Sequence, residues 1–100
     1  MDAKVLDVSK PYQINGSVYD VGEKKKFMSG NVEMIVQDLT VCVPNGRVNE
    51  FFFIEFYNSK TAFLEKLRKE QKVSVIVQFK GRLSKTGKSF NGIEGMGVNV

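Results

Sequence analysis

Histidine and tryptophan are absent from this 100-residue sequence, and cysteine occurs once, at Cys42. Without histidine, the commonest general base and the commonest nitrogen ligand for metals are missing. A single cysteine excludes an intrachain disulfide and any multi-cysteine metal site. In the run Thr40-Val-Cys-Val-Pro44 it reads as a small buried hydrophobe. No stretch approaches the roughly 18 apolar residues of a membrane span. The first ten residues lack the apolar centre of a signal peptide. The expectation is a soluble, cytoplasmic protein with no membrane association.

Catalytic patterns are equally scarce. Ser84-Lys-Thr-Gly-Lys-Ser89 contains Gly-Lys-Ser, but the upstream glycine of a phosphate-binding loop is missing and no helix follows. It reads as a hairpin turn. No metal-ligand cluster is visible. The chain is therefore read as a non-enzyme, with no catalytic residues, no metal and no cofactor.

What the sequence does have is localised positive charge. The net charge of +4 is modest. From Gln71 to Ile93, however, Lys72, Lys80, Arg82, Lys85 and Lys88 occur with no acid among them. Lys24-Lys25-Lys26 forms a second cluster. Such clustering points to a polyanionic partner more than the total charge does.

One stretch organises the rest. Glu50–Tyr57 is an aromatic-rich strand, a short helix is predicted over about Lys60–Lys69, and a β-branched strand follows over Val73–Leu83. In the first of these, Phe52, Ile54 and Phe56 share one face, and Phe51, Phe53, Glu55 and Tyr57 the other. An unpaired buried carboxylate is costly, so Glu55 assigns Phe52, Ile54 and Phe56 to the core. Val73, Val75, Val77 and Phe79 point inward from the later strand. Asn58 or Ser59 is placed to cap the helix. Glu65 and Lys69 stand at the favourable i,i+4 spacing, and Ala62, Phe63, Leu64 and Leu67 form the apolar stripe.

Upstream, Gln13–Val21 reads as a strand bent at Gly16, and residues 22–30 read as a basic loop. Asn31–Val43 is a strand whose apolar parity changes near Gln37-Asp38. That change signals either a bulge or a strand covered on both faces. Asn45-Gly46 then makes a hairpin turn. Downstream, 84–89 is a second basic loop and Phe90–Val100 a glycine-rich last strand. Residues 1–12 form an N-terminal arm or edge strand, and 13–100 a single domain. The resulting fold class is all-β: a five-stranded OB-fold, a Greek-key barrel with one short helix between strands 3 and 4. Its ligand face uses strands 2–3 and the loops between strands 1–2 and 4–5, here the two basic loops.

From about Ile14 to Val100 the chain resembles a small bacterial or phage OB-fold family related to single-stranded-DNA-binding proteins. The resemblance rests on Ile54-Glu55-Phe56, on Leu64-Glu-Lys-Leu-Arg-Lys-Glu-Gln-Lys-Val-Ser-Val75, on Phe79-Lys-Gly-Arg-Leu83 and on Lys88-Ser-Phe-Asn-Gly-Ile93. It implies a partner, single-stranded DNA, and a place in DNA replication or recombination. The sequence departs from that family at three points. The base-stacking tryptophans are missing, Glu70-Gln71 stands where a turn glycine is expected, and there is no acidic C-terminal recruiting tail.

Single-strand binding needs cations for phosphates and flat rings for bases. Lys24, Lys25, Lys26, Lys80, Arg82, Lys85 and Lys88 supply the first. Phe27, Phe51, Phe53, Tyr57 and Phe90 are the candidates for the second. The expected function is largely sequence-independent binding of single-stranded DNA, with RNA as the other nucleic-acid candidate. The competing expectation is an OB-fold interaction module whose aromatic face buries a partner. An apolar face of this size also suggests a homo-oligomer, a dimer or tetramer.

Overall fold

The computed structural model describes residues 7–100. Among the described residues there are six strands: β1 (Tyr12–Val21), β2 (Lys25–Ser29), β3 (Val32–Asn45), β4 (Val48–Tyr57), β5 (Lys72–Leu83) and β6 (Ser89–Asn99). A 3-10 helix (Asn58–Leu64) lies between β4 and β5. The sheet order is β1-β5-β6-β4-β3-β2, and β1 also pairs with β3. That extra pairing closes β1, β3, β4, β6 and β5 into a five-stranded barrel of the OB type. β2 is appended to the outer edge of β3.

Alternation makes the barrel. Val73, Val75 and Val77 of β5 are buried, as are Ile54 and Phe56 of β4, Leu39 and Val41 of β3, and Val18 of β1. These side chains share one core with Leu64 from the 3-10 helix. Two glycines allow the strands to close on it. A Cβ on Gly95 would strike the ring of Phe56, and a Cβ on Gly16 would strike the carbonyl oxygen of Cys42. Closure between β4 and β6 rests on a single parallel rung, Glu55 opposite Glu94. On the N-terminal side of that rung the two strands diverge.

Several expectations need correction. The segment 22–30 is not only a loop, because it holds β2, every residue of which is exposed. Lysines on an exposed edge strand are a usual guard against edge pairing, and they hide the strand from a search for apolar alternation. The expected α-helix over Lys60–Lys69 is a 3-10 helix that starts and ends earlier. Thr61 and Leu64 are its buried residues, three apart as a three-residue turn requires, while Ala62 and Phe63 are exposed. Neither Asn58 nor Ser59 caps it. Asn58 adopts φ 53°, and its side-chain oxygen accepts the Ile35 N–H at 3.0 Å. The amide is thereby used to tie the turn to β3. Glu65 forms no helical pair with Lys69 and instead approaches Lys24 at 3.9 Å.

β3 carries no bulge at Gln37-Asp38, since its register with β4 runs unbroken from Val36 to Asn45. Its parity is constant, with Leu39 and Val41 inward, and Thr40 is buried on the other face. The irregularities lie elsewhere, at Tyr19 of β1 and at Met96 of β6, which is skipped where Ile76 faces Gly97 and Val77 faces Gly95. Phe52 has the inward parity expected of it but is only half-buried. The turn at Glu70-Gln71 shows why a glycine is expected there. Glu70 has φ 69°, and its N–H donates to the Val18 carbonyl at 2.7 Å.

Of the N-terminal arm or edge strand over 1–12, residues 1–6 lie outside the described residues. Residues 7–10 form a turn in which the Lys10 N–H reaches the Asp7 carbonyl at 3.2 Å, and Tyr12 already belongs to β1.

Candidate nucleic-acid interface

The outward face of β4 carries Phe51, Phe53, Glu55 and Tyr57, as the carboxylate argument requires. Phe53 is the most open of these, with 67% of its surface exposed, and Phe51 retains 44%. Among the described residues the N-terminal arm covers these rings only slightly. Only Val8 joins them in lining a cleft.

Two clefts cross this face and meet at Lys80. The first, about 450 Å³, is lined by Phe27, Met34, Tyr57, Asn58, Lys60, Lys80, Arg82 and Glu94, with Ser29 and Ser59. The second, about 790 Å³, opens where β4 and β6 diverge. Its lining is Phe51, Phe52, Phe53, Phe79, Lys80, Gly81, Asn91, Gly92 and Ile93, with Val8. Phe52 and Phe79 therefore turn from pure core residues into the floor of a groove. This is the reason Phe52 is only half-buried.

Lys80 is held in place. Its Nζ donates to Glu94 Oε2 at 2.8 Å and stands 5.5 Å from the centre of the Tyr57 ring. Cation and ring attract through the ring's negative face. Phe27 from β2 packs edge-on against Tyr57 at 6.4 Å. The Tyr57 hydroxyl donates to Glu55 Oε2 at 3.1 Å. Burial, the hydrogen bond to Glu55 and the negative charge of Glu55 and Glu94 raise the phenol above its usual pKa, with Arg82 opposing them. Tyr57 is thus kept as a neutral donor in a ring-and-charge cluster.

The first cleft unites Phe27, Tyr57, Lys80 and Arg82, and the second unites Phe51, Phe53 and Lys80. The remaining predicted residues line neither cleft. Lys24 and Lys26 are drawn to Glu65 and Glu33, at 3.9 and 3.7 Å. Lys25 is exposed on β2. Lys85 and Lys88 stand exposed on the β5–β6 turn, where Gly87 takes φ 85°. Phe90 is exposed on β6, opposite Arg82 in the register. The turn, with the Gly87 N–H on the Ser84 carbonyl at 3.0 Å, bears out the reading of Gly87-Lys88-Ser89 as a hairpin.

Residues not anticipated include Tyr19, which meets Phe51 edge-on at 4.8 Å, and Asn91 and Lys60 in the clefts. Tyr19 sits at the bulge of β1, one position off the apolar alternation. That break in pattern was its only sequence signal.

No family model matches the sequence. No curated protein matches it either. Solved structures do match the fold. One crystal form of Rim1, a mitochondrial single-stranded DNA binding protein from S. cerevisiae, superposes with a TM-score of 0.67 at 15% identity. The match covers 91% of this chain and 94% of that one. A second form gives 0.59 at 14% identity, covering 91% and 93%, and its selenomethionine form gives 0.58 at 18% identity, covering 90% and 92%. The chain therefore has the OB-fold seen in those proteins.

Proposed function

We propose that this protein binds single-stranded DNA, without catalysis, along the groove formed by the two clefts that meet at Lys80. The observation that carries the reading is the arrangement at that meeting point. Cations (Lys80, Arg82) and rings (Phe27, Phe51, Phe53 and the half-buried Tyr57) line the two clefts together. Rings stack on bases of any sequence at about 1–3 kcal/mol each, while cations neutralise the backbone. Exposed Lys85 and Lys88 on the β5–β6 turn and Lys25 on β2 add positive charge outside the clefts, while Lys24 and Lys26 are shared with Glu65 and Glu33. The OB-fold likeness to proteins described as single-stranded DNA binding supports the reading.

The test is titration of labelled poly-dT at several salt concentrations. Micromolar binding at ~50 mM salt that weakens steeply with added salt is expected, because phosphate contacts release counterions. No binding under those conditions refutes the proposal. Parallel titration with oligo-rU distinguishes a DNA binder from an RNA binder.

A homo-oligomer is a second reading, and it competes with the groove for Phe51. Tyr19 and Phe51 form an exposed aromatic pair on the β1–β3–β4 side of the barrel, which a second copy would cover. A dimer or tetramer by light scattering, reduced to monomer by Tyr19→Ser, is the expected result.

A further inference from the structure

Stacking and phosphate contacts do not distinguish one base from another. One half-buried residue beside the groove, behind Gly92, has chemistry that does. Glu55 lies on the outward face of β4 between Phe53 and Tyr57, the two rings at i−2 and i+2. Its Oε2 accepts the Tyr57 hydroxyl at 3.1 Å. Its Oε1 has no hydrogen-bond or ion-pair partner among the described residues, and it lies 3.0 Å from where a Cβ on Gly92 would stand. Gly92 lines the same cleft as Phe53. The free oxygen therefore borders the space beside the most open ring of the groove. Its neighbour Glu94 is held by Lys80 through one oxygen at 2.8 Å, whereas Glu55 has no cation beside it among the described residues.

Resting on the single-strand reading above, we infer that Glu55 is a specificity-determining residue that favours guanine in the base stacked on Phe53. A carboxylate only accepts hydrogen bonds. Guanine is the base whose Watson–Crick edge offers two adjacent N–H groups, N1–H and the N2 amino group, to one acceptor. Adenine and cytosine place an amino group beside a ring-nitrogen lone pair, and thymine flanks its N3–H with two carbonyl oxygens. Those lone pairs face the carboxylate charge and are repelled. Bonds to an ionised acceptor are stronger than neutral ones, so the discrimination acts on the base edge while the lysines hold the phosphates on the other side. The missing Cβ at Gly92 gives Glu55 the room to turn toward the cleft.

The test uses a fluorescein-labelled strand of ~15 thymidines, within the ~4–16 nucleotides that one OB barrel occupies. The same strand with isolated guanines, and with inosines in their place, completes the set. Lithium buffer suppresses four-stranded guanine structures. The guanine strand is expected to bind about tenfold more tightly than the thymidine strand, the scale of one bidentate base contact. Inosine, which keeps N1–H and lacks the amino group, falls between them. Glu55→Gln is expected to cut the preference to under about threefold, and to tighten the thymidine strand because a charge that repels phosphate is removed. Gly92→Ala, which leaves the charge in place and pushes the carboxylate aside, also lowers the preference.

Equal binding of guanine and thymidine strands by the wild type overturns the assignment of Glu55 and leaves the functional reading standing. So does an unchanged preference in Glu55→Gln with an unaltered circular dichroism spectrum. Absence of binding to every strand overturns the functional reading and this inference together.

Discussion

Gly95→Ala tests how the barrel closes. Gly95 is buried on β6 opposite Val77, and an added Cβ there meets three carbons of the Phe56 ring. Carbon atoms pack best at about 3.5–4.0 Å, so the ring must retreat by roughly an ångström or β6 must lift from β5. Phe56, Ile54, Leu39, Val41, Val75 and Val77 are all fully buried, leaving no space for the ring to take. Overpacking of this kind costs typically 1–3 kcal/mol, and the upper value is expected here. With a urea m-value of ~2 kcal/mol/M, a loss of ~3 kcal/mol lowers the unfolding midpoint by about 1.5 M. Phe56→Leu alone leaves a smaller residue in the core and is also destabilising, by ~1–2 kcal/mol. Together the two changes relieve each other, so the double variant is expected to be at least ~1 kcal/mol more stable than the sum of the single losses predicts. Losses that add to within about 0.5 kcal/mol would mean that Gly95 and Phe56 do not compete for the same space. The closure argument would then fail.

Other perturbations separate charge, ring and proton. Lys85→Ala with Lys88→Ala leaves stability unchanged and flattens the slope of log K against log salt by about 1.4, at ~0.7 per phosphate contact on a single strand; salt-dependent anisotropy reads this. Phe53→Ala weakens strand binding about tenfold, one stacked base, with an unaltered salt slope and unfolding midpoint; a drop in midpoint instead would put the ring in the core. Tyr57 has a folded-state pKa raised above 10.0, so its neutral form stabilises the fold at all lower pH. That contribution fades as pH rises from the unfolded value through the folded one, and Tyr57→Phe is expected to flatten this alkaline part of the stability curve. Absorbance of tyrosinate should show one of the three tyrosines ionising last.

The barrel was legible in the sequence because its strands bury one face each. Val73, Val75 and Val77 alternate plainly, and Glu55 alone sorted the six residues around it into inner and outer sets. Asn45-Gly46 marked its turn, with Gly46 at φ 64°. What escaped sequence reading was structure held by partners distant in the chain. β2 is hydrogen-bonded to β3 and holds no residue in the core, so it carries no apolar alternation. The helix was misjudged because Ala62, Phe63, Leu64 and Leu67 suit an α-helical stripe. Asn58 overrides that preference through its bond to Ile35, 23 residues earlier. In the site, parity located Phe51, Phe53 and Tyr57 on one surface, but it could not show Lys80 joining two clefts or Lys26 turning to Glu33. Those are side-chain encounters across strands, and they depend on register.

The single rung between Glu55 and Glu94 gives the barrel a seam. A strand bound in the groove would touch Phe51 and Phe53 on one lip and Lys80 and Asn91 on the other, spanning the gap that backbone pairing leaves. Ligand that binds only the closed form raises the free energy of opening by mass action, and here it does so as a clasp laid across the seam. Amide exchange measures this directly. Residues 51–55 and 90–94 would show the largest gain in protection on binding, while the amides of β1 and β5, already laddered over their shared register, would gain least.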